Sequence, residues 1–319
     1  MEIVNVFVSL FIFPGLLSLI TLALFADWLD RKLYARMQAR VGPQYTGPHG
    51  LLQPFADLIK LLAKEDITPK QASSFMFNIL PLVAFAAVGS AATLLPIGRL
   101  TVYNSFPGDI LVILYLLGLP TLVYFLAGWH SSSFFGVFGG VRAITQLFAY
   151  EVPFLIAILS PAILTGSWQL SEIANHSLVH PLHMVVYIFG LIVAVIGLQA
   201  KLERMPFDVP EAETEIVGGP FTEYSGKKLA LVLLARQMAL VVGSALIATV
   251  FLGGFGLGWM SPVWFLLKTG AVILVLVFIR AGTARLRIDQ VIDFSWKILA
   301  PLSFLQLLVI IILKGYNVL

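Results

Sequence analysis

Five carboxylates, Asp208, Glu211, Glu213, Glu215 and Glu223, fall within sixteen residues of a chain that is 12% charged and 59% hydrophobic. Carboxylates crowded in this way repel one another, so some hold a proton well above the usual range, and Arg204, Lys227 and Lys228 nearby tune which ones. A charge run is ordinarily a solvated face. Here the alternate Glu211, Glu213 and Glu215 are embedded in apolar residues and glycine, "VPEAETEIVGGPF", a setting poorly suited to free solvation. The composition predicts a loop folded back into the protein to line a polar cavity or funnel. The chemistry on offer is proton exchange. Glu151, in "AITQLFAYEVPFLIAILSP", adds a sixth carboxylate inside an apolar stretch. A charged carboxylate at the centre of a membrane helix costs about 2.5 to 3.5 kcal/mol. Glu151 is therefore expected to be protonated, paired or turned to an aqueous cavity, and to act as a proton relay or as one half of a structural ion pair. Lys268 presents the opposite sign in another apolar stretch, and either snorkels or meets a carboxylate across the bundle.

The elements that must position these groups are membrane helices. A mean hydropathy of +0.94 over 319 residues lies far outside the range of water-soluble domains. Windows of about 20 apolar residues, the length that crosses a hydrocarbon layer of roughly 30 Å, predict spans near 5-27, 76-98, 109-129, 141-165, 183-202, 229-253, 262-282 and 297-315. Strands of a barrel would alternate in polarity instead. The expected fold is an all-α integral membrane protein of about eight transmembrane helices, forming one membrane domain over 1-319. The opening residues lack a basic lead and a small-residue cleavage site, so they are expected to span and not to be a signal peptide.

Counting Lys and Arg by connection assigns 17 of the 20 to one side: seven in 28-75, then Arg142, then Lys201, Arg204, Lys227, Lys228 and Arg236, then Arg280, Arg285, Arg287 and Lys297. By the positive-inside rule the odd-numbered loops are cytoplasmic and both termini lie outside. The acidic loop then faces the cytoplasm. In the first loop, "VGPQYTGPHG" demands a folded turn because Pro fixes φ and Gly permits left-handed geometry. His49 within it is expected to be solvated or capping. After Pro54, the residues Phe55, Leu58, Ile59 and Leu62 recur at helical spacing, with Asp57, Lys60 and Lys64 elsewhere. That pattern predicts a short amphipathic helix at the membrane interface or against a partner. With no cysteine, the chain carries neither disulfides nor iron-sulfur ligands. No metal set is evident, and nothing suggests nucleic acid.

Four ordered stretches are similar to one family. "DRKLYARMQARVGPQYTGPHGLLQPFADLIKLLAKEDITP", "GGVRAITQLFAYEVP", "RMPFDVPEAETEIVGGPFTEYSG" and "FIRAGTARLRIDQVIDFSWKILAPL" resemble the polar motifs of one membrane subunit of respiratory complex I, the H subunit of bacterial NADH-quinone oxidoreductase and its mitochondrial equivalent, NADH dehydrogenase subunit 1. The resemblance covers most of the chain. It implies a subunit of an ion-translocating oxidoreductase that is not catalytic alone, and that forms part of a quinone chamber and the start of a proton path. Quinone would sit at a subunit interface, and the iron-sulfur clusters would belong to partners. Those partners would be peripheral iron-sulfur subunits, a large subunit of the 49-kDa or nickel-iron hydrogenase type, small membrane subunits and antiporter-like subunits.

Carried over, Glu151, Asp208, Glu211, Glu213, Glu215 and Glu223 would supply the proton-coupling funnel. Arg31, Arg36, Arg40, Arg280, Arg285, Arg287 and Asp289 would lie at the chamber and arm junction. Three positions depart from the family pattern: Asp30 for a usual Glu, Lys201 for a usual Glu, and Ala284 for a common proline. The wider superfamily includes energy-converting hydrogenases and sulfur-reducing complexes that work without quinone, and the intact first-loop turn favours the complex I or sulfur-reducing branch. A stand-alone ion transporter using the same charges is the competing class. It should purify and act alone, and no inverted repeat supports it.

Overall fold

A computed structural model describes residues 15-97, 100-101, 105-179, 186-254 and 260-315. Its helices are α1 (Leu16–Met37), α2 (Gln53–Ala63), α3 (Ser74–Thr93), α4 (Asp109–His130), α5 (Phe134–Thr165), α6 (Leu170–Val179), α7 (Ile188–Lys201), α8 (Gly226–Leu252), α9 (Ser261–Gly282) and α10 (Ile288–Gly315). Strand β1 (Pro96–Ile97) pairs antiparallel with β2 (Leu100–Thr101), Pro96 opposite Thr101. Among the described residues six helices, α3, α4, α5, α8, α9 and α10, are long and apolar enough to cross a membrane, and α7 is a shorter apolar one. The protein is an all-α integral membrane protein, as its hydropathy predicts. The starts of the spans expected at 5-27 and 183-202 lie outside the described residues.

In α8 the apolar window is 78% buried and in α10 only 28%, which makes α8 the central post and α10 a peripheral one. α8 packs against α1, α3, α9 and the amphipathic α2, while α5 packs against α4, α7 and α10. The exposed apolar side chains of α10, among them Leu305, Leu308, Ile311 and Ile312, face outward as lipid-contacting residues do. Helix ends away from the acidic loop are closed by side chains: Lys268 Nζ donates to the Leu252 carbonyl at 2.7 Å, and the Leu170 amide donates to Asp109 Oδ1 at 2.8 Å. Lys268 thus caps the end of α8 and meets no carboxylate among the described residues.

Two expectations need correction. The fourth span begins at Phe134, not near 141, so Arg142 sits on a helix and not in a connection. Gly136, Gly139 and Gly140, ahead of the expected start, are helical, and their missing side chains let other backbone approach. A Cβ on Gly139 would stand 2.6 Å from Pro220 Cδ and 2.7 Å from the Gly219 backbone. The second correction is α6, a helix with buried residues lying between the spans expected at 141-165 and 183-202, where no helix was expected. As predicted, the first loop folds into a turn. Gly42, Gly47, His49 and Gly50 take positive φ, Trp28 Nε1 donates to the His49 carbonyl at 3.3 Å, and Lys32 Nζ donates to the Pro43 carbonyl at 2.7 Å. α2 lays Phe55 and Leu58 on the core and leaves Ile59 and Leu62 exposed.

The close approach at Gly139 is what holds the acidic loop against α5. Gly139→Ala should lower the melting temperature of the detergent-solubilised protein, with overpacking costing about 1 to 3 kcal/mol. Gly270, whose Cβ would meet nothing within 4 Å, is the control. Gly270→Ala should leave the melting temperature unchanged or raise it, given a helix-propensity gain of about 1 kcal/mol.

Candidate functional site

The acidic loop is built on the turn that ends α7. Glu203 adopts φ 51°, a left-handed conformation uncommon for a side chain of this size, and its own carboxylate is buried. Gln199 Nε2 fixes the turn by donating to the Met205 carbonyl at 2.6 Å. Beyond it Phe207, Val209, Ala212, Ile216 and Phe221 are all buried, so residues at intervals of two to five along the loop serve as anchors and the acids fall between them. Gly219 at φ 53° completes the fold-back, because a Cβ there would collide with the Pro210 carbonyl. The loop is thus folded into the protein, as its composition predicts.

Its acids do not share one site. Asp208, Glu211 and Glu213 line a cavity of about 280 Å³ together with Arg31 and Arg280, and with Asp27, Asp30, Glu203, Arg204 and Arg236. Two triads of opposite composition dominate its wall. In the first, Arg236 donates to Glu203 Oε2 at 2.8 Å and contacts Glu211, while its guanidinium lies over the rings of Tyr124 and Phe221 at 5.0 and 5.1 Å. In the second, Asp30 accepts from both Arg204 nitrogens, at 3.3 and 3.1 Å, and from Arg280, which stacks on Tyr34 at 4.5 Å. Asp27 is held by Arg31 at 2.7 Å and by Gln237 Nε2 at 2.8 Å, and Arg31 also reaches Asp57 of α2 at 2.6 Å.

Glu215, Arg285, Arg287 and Asp289 line a second cavity of about 350 Å³, where Arg142 meets Glu215 at 2.6 Å. Glu151 stands apart, midway along α5. Both of its oxygens accept from Lys201 Nζ, at 2.9 and 2.7 Å, and the lysine side chain is only 4% exposed. Glu223, Arg36 and Arg40 line neither cavity. Asp27, Glu203, Arg204 and Arg236 were not singled out as site residues from the sequence. The signal available for them was a charge at the end of a predicted span, within reach of the acidic loop.

Burial pushes Glu203 up to about 7, with the Glu211 and Asp208 charges adding to the rise and Arg236 opposing it. Asp208 is raised to about 6, first by burial and then by Glu211, against Arg285, Arg236 and Arg280. A hydrogen bond from Arg142 holds the exposed Glu215 below the usual carboxylate range. Burial is the main cause for Glu203, and charge balance adds to it: one guanidinium serves two carboxylates, so a proton on Glu203 makes the triad neutral. At neutral pH this part of the wall can take up or release a proton. Among the described residues no group of acids, histidines or cysteines could hold a metal ion.

A polytopic helical membrane protein with a titrating, ion-paired cavity at one end is the class these features define. The sequence relatives narrow it. A family model described as NADH dehydrogenase matches residues 10–311. NADH-quinone oxidoreductase subunit 8 of Thermus thermophilus is 40% identical over 306 residues, covering 92% of this chain and 82% of that protein. The H subunit of the NADH-quinone oxidoreductase of Dehalococcoides mccartyi strain CBDB1 is 39% identical over 288 residues, 88% of this chain and 80% of that protein. The corresponding H subunit of Carboxydothermus hydrogenoformans is 34% identical over 317 residues, 96% and 89% respectively. The chain belongs to the NADH dehydrogenase family of membrane subunits.

A raised carboxyl titration has a sign. Stability from Glu203 is fully present below the ordinary value of 4.5 and is lost as pH rises through about 7. The melting temperature of the wild-type protein should fall across that window, and Glu203→Gln should flatten the fall. In infrared spectra a protonated carboxyl band that fades near pH 7 should be missing from Glu203→Gln. An unchanged band in the variant would contradict the assignment.

Proposed function

We propose that this chain is the membrane subunit that joins a peripheral redox arm to an ion-pumping arm in an NADH-quinone oxidoreductase-like complex. In this reading it supplies part of the acceptor chamber and the start of the proton path. Its relatives carry the name of that complex, and the family match over residues 10–311 takes in the polar loops as well as the apolar helices. The observation that carries the reading is the set of buried and half-buried, paired charges from the cavity wall at Glu203, Arg236 and Glu211 to Glu151 and Lys201 on the membrane helices. Fold stability alone does not call for such a set, since apolar residues of similar volume are often as good or better.

Quinone is the substrate in this reading and takes its place between this chain and a cluster-bearing partner. The charged cavity suits a polar headgroup, with Arg204 and Arg280 as donors, and the exposed Leu52, Ile59 and Leu62 beside α2 suit lipid or an apolar tail. The basic loops lie on the cytoplasmic face. Reduction chemistry in the partner changes charge at the cavity, and the loop carboxylates and Glu151 answer by moving protons. The scale is adequate: one charge crossing 100 mV costs about 2.3 kcal/mol, and a pKa change of one unit carries about 1.4 kcal/mol.

The test is the assembled complex in sealed vesicles. Glu151→Gln and Glu211→Gln should each lower coupled turnover and proton movement about tenfold, a loss of roughly 1.4 kcal/mol, with the complex still assembled. Full activity and full proton stoichiometry in both variants would remove the relay.

A further inference from the structure

The Glu151 pair is more than a neutralised carboxylate, because its partner is a lysine held in an unusual place. Lys201 is the last residue of α7, and Gln146 Nε2 donates to the carbonyl of the preceding Ala200 at 2.8 Å, which locks α7 against α5 at that level. The ammonium lies near the rings of Tyr150 and Phe154, at 5.6 and 5.1 Å. On the open side of the pair stands Gly118, where a Cβ would come 3.5 Å from Glu151 Oε1 and 4.0 Å from Lys201 Nζ. On its other side Lys201 lines a pocket of about 10 Å³ shared with Tyr124, Leu198, Leu202 and Arg236. That volume is about the size that admits one water. Arg236 Nε, buried and without a hydrogen-bond partner among the described residues, belongs to a residue of the same lining. Lys201 is therefore the side chain that touches the membrane-depth carboxylate and shares a pocket with the residue that binds Glu203 and Glu211.

We propose that Lys201 is a proton-carrying residue, passing a proton between the loop network and Glu151, and not only the counter-ion of Glu151. This rests on the relay reading above and names its connecting group. In the step, an N–H proton of Lys201 moves to a Glu151 oxygen, leaving a neutral amine beside a neutral carboxylic acid. The amine lone pair then takes a proton from a water in the pocket, and a protonated carboxyl of the loop returns one to that water. Lysine can do this because its ammonium can lose a proton when buried, whereas arginine stays charged in proteins. The titratable and charged groups next to Lys201 are Glu151 and Tyr150 from α5, with Tyr124 from α4 and Arg236 from α8 lining the same pocket; Glu203 follows two residues on, on the turn after its own helix.

The experiment uses the intact complex in sealed vesicles with Lys201→Arg, Lys201→His and Glu151→Gln. Lys201→Arg keeps a cation opposite Glu151 and should still lose proton movement per electron about tenfold. Lys201→His, with a lower intrinsic pKa, should move the alkaline limb of the pH profile of coupled turnover to lower pH. If Glu151→Gln is impaired while Lys201→Arg pumps normally, Lys201 is only a counter-ion and this inference falls with the relay left standing. If Glu151→Gln also pumps normally, the relay itself falls. Should Lys201→Arg not assemble, the Lys201→His profile decides: an unshifted limb overturns the proposal.

Discussion

An ionised side chain away from water is tolerable only with an opposite charge in contact, and the charged end of this molecule is organised by that requirement. Asp30 of α1 draws Arg204 from the turn after α7 and Arg280 from α9. Arg236 of α8 holds Glu203 and Glu211 of the loop, and Lys201 of α7 holds Glu151 of α5. Each contact links elements that are distant in sequence, so the pairing that neutralises the charges also fastens the helix ends together. Removing one member of such a set strands its partner and costs about 3 to 5 kcal/mol.

The sets are not balanced one to one. Arg204, Asp30 and Arg280 leave an excess of positive charge, while Glu203, Arg236 and Glu211 leave an excess of negative charge. A protein seeking only stability would pair each charge once. An unbalanced triad in a buried setting instead draws a proton to Glu203 near neutral pH. Asp208 on the same wall behaves similarly at slightly lower pH. The cavity is thereby sensitive to any charge that appears beside it.

Much of this was legible in the residues. Apolar windows located the membrane helices, since the length of a span is set by the bilayer. Apolar and glycine residues between Glu211 and Phe221 announced a fold-back, and the spacing of Phe55, Leu58, Ile59 and Leu62 announced a helix, whose apolar face is split between the core for Phe55 and Leu58 and exposure for Ile59 and Leu62. What could not be read was set by contacts between distant parts of the chain. The early start of the fourth span, at Phe134, depends on the backbone of Gly219 lying against Gly139. Asp208 and Glu215 are seven positions apart yet line different cavities, because the buried Val209 and Ala212 turn the chain between them. Lys201, a departure from the family pattern, gained a meaning only when its nitrogen was seen between Glu151 and the pocket beside Arg236.

The account stands on electron flow in a neighbour being felt at this charged wall, which requires the wall to be covered by that neighbour. A density map of the intact assembly tests it directly. The cavity lined by Asp30, Glu203, Asp208 and Glu211 should be closed over by a subunit carrying a redox centre, with Glu151 shielded from bulk water. A map showing that cavity open to solvent and far from any redox centre would contradict the account.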